Sequence, residues 1–238
     1  MLFNSPISSE KADRLIDLLQ LDSTSRVLDV GCGTGEFLMR IVERYGCHGV
    51  GVDTESTSLE NARSAAEDRK CAGLIDFIQA DIKDYDVGGS LDCGVCMGAS
   101  HAYAMDEPAY PETLRGLGSK LKVGGRLLIG ESYWTRPPEQ EYLDFVGEPN
   151  GTYRTHEENV TLAESFGLLP LYAVTSSPDE WDDFEWSHHM RIENHALENP
   201  DDPEAIKKRD WGREWRAAYL KWGRGTLGFA FYLFRKES

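Results

Sequence analysis

The sequence predicts an α/β fold: a parallel β-sheet covered by helices on both faces. Two observations predict it. Short apolar runs alternate with segments at helical spacing through the first 133 residues. Those runs are apolar on both faces instead of alternating with polar residues, the pattern of strands buried on both sides.

The elements follow in order. Arg26-Val27-Leu28-Asp29-Val30 reads as a first strand that ends in Gly31-Cys32-Gly33-Thr34-Gly35. Phe37, Leu38, Ile41, Val42 and Tyr45 then recur at helical spacing up to Gly46. A second strand runs from Gly49 to Asp53. Thr57-Ser58-Leu59-Glu60 has the form of a capping box, followed by Leu59, Ala62 and Ala66 on one helical face. Strands are expected at 74–80 and 91–97. A helix carrying Leu114, Leu117 and Leu121 is expected to end near Gly124-Gly125, before a fifth strand at 126–130. Beyond Tyr133 the chain turns polar, with Pro137-Pro138 and a loop at 147–151. A helix at 161–166 and a strand at 168–174 follow. Residues 177–224 read as helical, acidic and rich in tryptophan. The last apolar run, 227–234, reads as a buried strand. A final strand that returns to the core makes 177–224 an insertion within a single domain, 1–238, with 133–160 as a second inserted segment.

The composition narrows the function classes. Asp and Glu number 41 against 25 Lys and Arg, a formal charge of −16. Nucleic-acid affinity rests on basic side chains that neutralise phosphates, so a nucleic-acid partner is disfavoured, and an anionic membrane surface likewise. No apolar run approaches the ~20 residues of a spanning helix. The first residues lack the charged and apolar regions of a secretory signal. Five cysteines, an odd number in a chain too long to need staples, fit free thiols in a reducing cytoplasm.

A glycine-rich turn between strand and helix lets a ligand approach the backbone near the positive helix end. A phosphate loop would end in Gly-Lys-Ser/Thr, whereas this one ends in Gly35-Glu36-Phe37. A dinucleotide turn spaces its glycines as G-x-G-x-x-G, whereas here Gly31, Gly33 and Gly35 alternate. Asp53 closes the second strand, 18 residues beyond Gly35. An acid there accepts hydrogen bonds from a ribose diol. Loop and acid together specify an adenosine-type ligand without a large negative charge.

At these residues the sequence resembles the class I S-adenosylmethionine-dependent methyltransferases. The resemblance rests on Val27 to Gly35, on Gly51-Val52-Asp53 followed by Leu59, Ala62 and Arg63, on Asp81-Ile82, and on Leu121-Lys122-Val123-Gly124-Gly125-Arg126-Leu127. It covers residues 10–133. Val123 stands where the family has proline, and Glu55 where many relatives have serine. The resemblance implies a Rossmann-like, doubly wound, seven-stranded sheet, mostly parallel, with 227–234 antiparallel between the fifth and sixth strands. It implies that Gly31 and Gly33 pass under the methionine part of S-adenosylmethionine. Asp29 would hold the amino group, Asp53 the ribose, Asp81 the adenine amino group with Ile82 on the ring, and Met97 and Gly98 would lie beside the sulfonium. More loosely, 95–134 and 179–186 resemble uncharacterised bacterial members of the small-molecule branch.

The methyl acceptor is expected beyond the fourth and fifth strands. His101 is the general-base candidate, because histidine exchanges protons near neutrality; a loop histidine or a cofactor contact is the other reading. Tyr103, Tyr133 and Trp134 form an aromatic wall or pack under the inserted segments. Glu131 holds a cationic acceptor or a loop. Trp181, Phe184 and Glu185 share a helical face that recognises a cation or anchors the insertion. His188, His189 and His195 do not complete a ligand set, so no metal is expected. Cys93 and Cys96, three apart on a strand, point to opposite faces. The turn Met97-Gly98-Ala99-Ser100 lacks the Asn/Asp-Pro-Pro-Tyr/Phe of methyltransferases that act on DNA or on protein glutamine. The reading is methyl transfer to a small molecule at nitrogen, oxygen or sulfur, with 133–160 and 177–224 capping the acceptor site. A silent cofactor-binding module, a NAD-dependent oxidoreductase and a protein methyltransferase are the alternatives. The sequence leaves the oligomeric state open.

Overall fold

The computed structural model describes residues 2–104, 108–147 and 152–237; of the loop expected at 147–151, positions 148–151 lie outside them. One seven-stranded sheet has the order β3-β2-β1-β4-β5-β7-β6. Its strands are β1 Arg26–Val30, β2 His48–Asp53, β3 Ile75–Gln79, β4 Leu91–Met97, β5 Leu121–Trp134, β6 Leu168–Thr175 and β7 Leu227–Lys236. Strands β1 to β5 pair in parallel. Strand β7 runs antiparallel to both β5 and β6, as the resemblance implied.

Burial on both faces explains the continuous apolar character of β7. Phe229, Phe231 and Leu233 enter one core layer, and Ala230, Tyr232 and Phe234 the other, as a period of two requires. Cys93 and Cys96 divide between the same two layers. The first layer is closed by α1 Ser9–Asp17, α2 Glu36–Tyr45 and α3 Ser56–Asp68; the second by α4 Ala109–Lys120 and α6 His156–Ser165. The short α5 Gln140–Val146 joins a smaller aromatic cluster around Trp134.

Several boundaries differ from expectation. Thr57 is not a helix cap. Glu55 is the cap of α3, and its side chain accepts the Thr57 N–H at 3.1 Å, because Asp53 already fixes the Glu55 N–H. Leu121 does not belong to the preceding helix: α4 ends at Lys120, and Leu121 pairs with Leu91 ahead of an irregularity in the β4–β5 register. Strand β5 continues past 130 to Trp134, because β7 pairs with it along that whole length. Helix α6 starts at His156, five residues before the expected start, behind a capping box formed by Thr155 and Glu158. Helix α1, capped by Ser8, was not expected.

Residues 177–224 form two long helices, α7 Pro178–Glu198 and α8 Pro203–Ala218, then a π-helical turn at Tyr219–Gly223. Helix α7 is fastened to the amino-terminal segment. Glu180 accepts the Ser8 N–H at 2.9 Å and pairs with Lys11. Trp181 meets Phe229 of β7 edge to face, with ring centres 6.3 Å apart. No helix among the described residues is long and apolar enough to cross a membrane.

Candidate functional site

Strand β1 has β2 on one side and β4 on the other. The chain therefore leaves β1 and β4 toward opposite sides, which opens a crevice at their carboxyl ends. A cavity of about 450 Å³ lies there. Its floor is the β1–α2 loop. Gly31 and Gly33 both adopt left-handed conformations, with φ of 67° and 53°, which an L side chain rarely takes. They serve different ends. A Cβ on Gly31 would stand 2.2 Å from the Ala99 Cβ, so this glycine lets the loop press against the end of β4. A Cβ on Gly33 would meet nothing within 4 Å, so this one keeps the cavity floor open.

Five acids border the cavity, Glu36 and Glu55 besides the expected Asp29, Asp53 and Asp81. Asp53 accepts the Gly33 N–H at 2.8 Å and the Glu55 N–H at 2.9 Å, so it shapes the loop as well as facing the ligand space. Asp29 is buried. No donor among the described residues reaches it, and burial, with the nearby Asp53 charge, pushes its carboxyl up to about 8. A buried acid facing a cavity with no donor of its own fits a cationic ligand group. Asp81 is more exposed; the Lys83 N–H, donated at 2.9 Å, and the Lys83 ammonium hold its carboxyl below the usual range. Ile82 is buried beside it, and Met97 and Gly98 form the wall at the end of β4. The geometry thus brings Asp29, Gly31, Gly33, Asp53, Asp81, Ile82, Met97 and Gly98 around one cavity. Sequence reasoning missed residues 2–5, which border it too; the only signal was the apolar Leu2-Phe3, and Phe3 packs on Phe37 with ring centres 6.3 Å apart.

A second cavity of about 260 Å³ adjoins the first, and Gly98 and His101 border both. His101 sits on a 3₁₀ turn, Ser100–Ala102, and is exposed. Glu131 lies deep in this cavity, 7% exposed. One of its oxygens accepts the Ser132 N–H at 3.1 Å; the other has no partner among the described residues. Burial pushes the Glu131 carboxyl up to about 7. Arg154 lines the same cavity with no carboxylate within 4 Å among the described residues. Asn159 donates to the Tyr232 hydroxyl at 3.3 Å, which fixes its amide in the wall. Arg154 and Asn159 carried no sequence signal, because each is a lone polar residue far along the chain from the glycine loop.

The expected aromatic wall is built from other residues. Tyr103 packs its ring on Gly116 of α4. Tyr133 faces Gly228 and His156. Trp134 meets Tyr142 and Tyr153 edge to face. These three border neither cavity, and Tyr110 and Tyr153 supply the aromatic edges instead. Trp181 lines a third cavity, of about 180 Å³, with Phe184 and Glu185 beside it.

Comparison with known proteins agrees with this geometry. Residues 27–125 match a family described as "Methyltransferase domain". The chain is 27% identical over 231 residues to the uncharacterized protein YjhP of Escherichia coli, covering 96% of this chain and 92% of that protein. It is similar to the crystal structure of a SAM-dependent methyltransferase from Geobacter sulfurreducens in complex with S-adenosyl-L-homocysteine. That likeness has a TM-score of 0.88 at 26% identity and covers 99% of this chain and 94% of that one. A wheat phosphoethanolamine N-methyltransferase is 31% identical over 144 residues, 58% of this chain and 26% of that protein.

Proposed function

Because the chain belongs to the class I S-adenosylmethionine-dependent methyltransferases, we propose that it methylates a small-molecule acceptor held in the second cavity, at nitrogen, oxygen or sulfur. The observation that carries this reading is the shared wall: Gly98 and His101 border both the cofactor cavity and the acceptor cavity. S-adenosylmethionine, when bound, supplies a methyl group on a sulfonium, a good leaving group. The chain supplies alignment and desolvation for an in-line displacement.

Asp29 holds the cofactor amino group, and its burial without a donor supports that role. Asp53 accepts the ribose hydroxyls while its N–H partners keep the carboxylate aimed at the cavity. Asp81 accepts the adenine amino group and Ile82 packs on the ring. Met97 and Gly98 flank the reacting centre. On the acceptor side His101 takes the proton of a hydroxyl, thiol or ammonium. Glu131 and Arg154 orient the acceptor by its polar groups. The α7–α8 segment and the described residues of 133–160 cap the acceptor side of a single domain. The strong net negative charge supports a small-molecule partner over nucleic acid. Five unpaired cysteines support a cytoplasmic setting.

Two measurements test the reading. Calorimetric titration of S-adenosylmethionine into Asp53→Ala is expected to show affinity at least ~10-fold weaker than wild type, from lost charge-assisted hydrogen bonds; an unchanged Kd refutes the assignment. His101→Ala is expected to keep cofactor affinity and slow label transfer to small molecules by ~10²-fold or more. Transfer at the wild-type rate removes His101 from the reaction.

A further inference from the structure

The third cavity has a chemistry that methyl transfer alone does not require. It lies between α5, α7 and α8, and its walls are mostly aromatic: Tyr142, Phe145, Trp181, Phe184, Trp215 and Tyr219 all face it. Among its lining residues Glu185 is the single charged side chain. One Glu185 oxygen accepts the Trp215 indole N–H at 2.9 Å. No basic side chain among the described residues lies within ion-pair distance of Glu185. The neighbouring arginines are engaged elsewhere: Arg213 with Glu193 at 2.6 Å, Arg224 with Asp182 at 2.9 Å, and Arg216 with His189 and over the Trp186 ring. A π-helical turn, Tyr219–Gly223, shapes one wall. Such turns recur at functional sites, and this one brings Gly223 so close to Tyr142 that a Cβ would stand 2.8 Å from its hydroxyl.

We propose that this cavity is an aromatic box for a tertiary or quaternary alkylammonium group, with Glu185 as its counter-charge. Ring faces attract a cation, and a desolvated site strengthens that attraction. A primary ammonium carries three donors that each need an acceptor; here one Glu185 oxygen is already taken by Trp215, the Tyr219 hydroxyl is turned to Asp182, and aromatic rings make up most of the wall. A tertiary ammonium carries one N–H, which the second Glu185 oxygen can accept, and a quaternary ammonium carries none. The volume, about 180 Å³, is roughly six water molecules' share, enough for a group of a few carbons. Tyr153 lines this box and the acceptor cavity alike, and Trp181 touches Phe229, which also lines the acceptor cavity. The box therefore holds the end of the acceptor remote from the reacting atom, an assignment that rests on the proposed acceptor site.

The test uses choline as a probe and 3,3-dimethyl-1-butanol as its uncharged isostere, with the full chain. The indole N–H signals of Trp181 and Trp215 are followed by NMR during titration. Choline is expected to shift them saturably, with affinity at least ~10-fold above the isostere. Glu185→Gln, which keeps the volume and an acceptor for Trp215, is expected to remove that preference. Equal response to both probes, or no response to choline, overturns the box, and the wild-type comparison needs no variant to fold. Label transfer from S-adenosylmethionine to small molecules is measured in the same samples. If transfer occurs and choline leaves it unchanged, the link to the acceptor fails. If no transfer occurs while choline binds with preference, the methyl-transfer reading fails and the box stands.

Discussion

Asp29 illustrates how far a residue's surroundings decide its role. On sequence it is an acid within an apolar strand. In the fold it is a buried carboxyl without a donor, raised to about 8 by burial and by Asp53. The folded protein binds this proton more tightly than the unfolded chain, whose reference value is 3.8. Stability of the ligand-free protein therefore falls as pH rises between 3.8 and about 8. Glu131, raised from 4.5 to about 7, has the same sign over its own range. Asp29→Asn is accordingly expected to melt several degrees above wild type at the upper end of this window, with the difference closing as pH falls toward 3.8, while binding S-adenosylmethionine more weakly. Thermal scans of the ligand-free proteins across pH check this; a variant less stable than wild type at every pH contradicts the assigned burial cost.

At the scale of elements, the strands and the glycine loop were legible because their signals are local. Continuous apolar runs mark buried strands, and glycines mark positions of positive φ. Two of the loop glycines, Gly31 and Gly33, lead to different expectations. Gly31→Ala meets the Ala99 Cβ at 2.2 Å and is expected to cost both stability and cofactor binding. Gly33→Ala meets open space and is expected to lose cofactor affinity with a smaller loss of stability, confined to the left-handed φ, roughly 1–2 kcal/mol. Paired denaturation and calorimetry separate them, and equal destabilisation of the two would contradict the distinct roles. Elements set by distant partners were not legible. The extension of β5 to Trp134 depends on β7, about a hundred residues later. Helix α1 is short and mostly polar, and its position comes from packing against α2 and from the Lys11–Glu180 pair. Tyr103 follows the end of β4, and Tyr133 and Trp134 are the last residues of β5, where proximity in sequence suggested a wall; their side chains instead fill gaps left by Gly116, Gly228 and the Tyr142 cluster.

For the whole molecule, the sheet order places two adjoining cavities at the crevice where β1 and β4 diverge, and the α7–α8 segment between β6 and β7 lines a third with α5. A few of the acids behind the charge of −16 line cavities: Asp29, Asp53 and Asp81 the first, Glu131 the second, and Glu185 the third. Asp182, by contrast, serves the scaffold, accepting from Tyr219 and Arg224. The α7–α8 pair has few buried apolar residues compared with β7. Its amides are expected to exchange hydrogen sooner than those of β5 and β7; protection equal to the sheet would show that the insertion is part of the cooperative core. The most direct measurement of the central claim is incubation with S-adenosylmethionine labelled on its methyl group and a metabolite extract, followed by mass spectrometry. The expected result is a labelled small molecule whose formation requires Asp53. Label found only on macromolecules, or no transfer by protein that binds the cofactor, would contradict it.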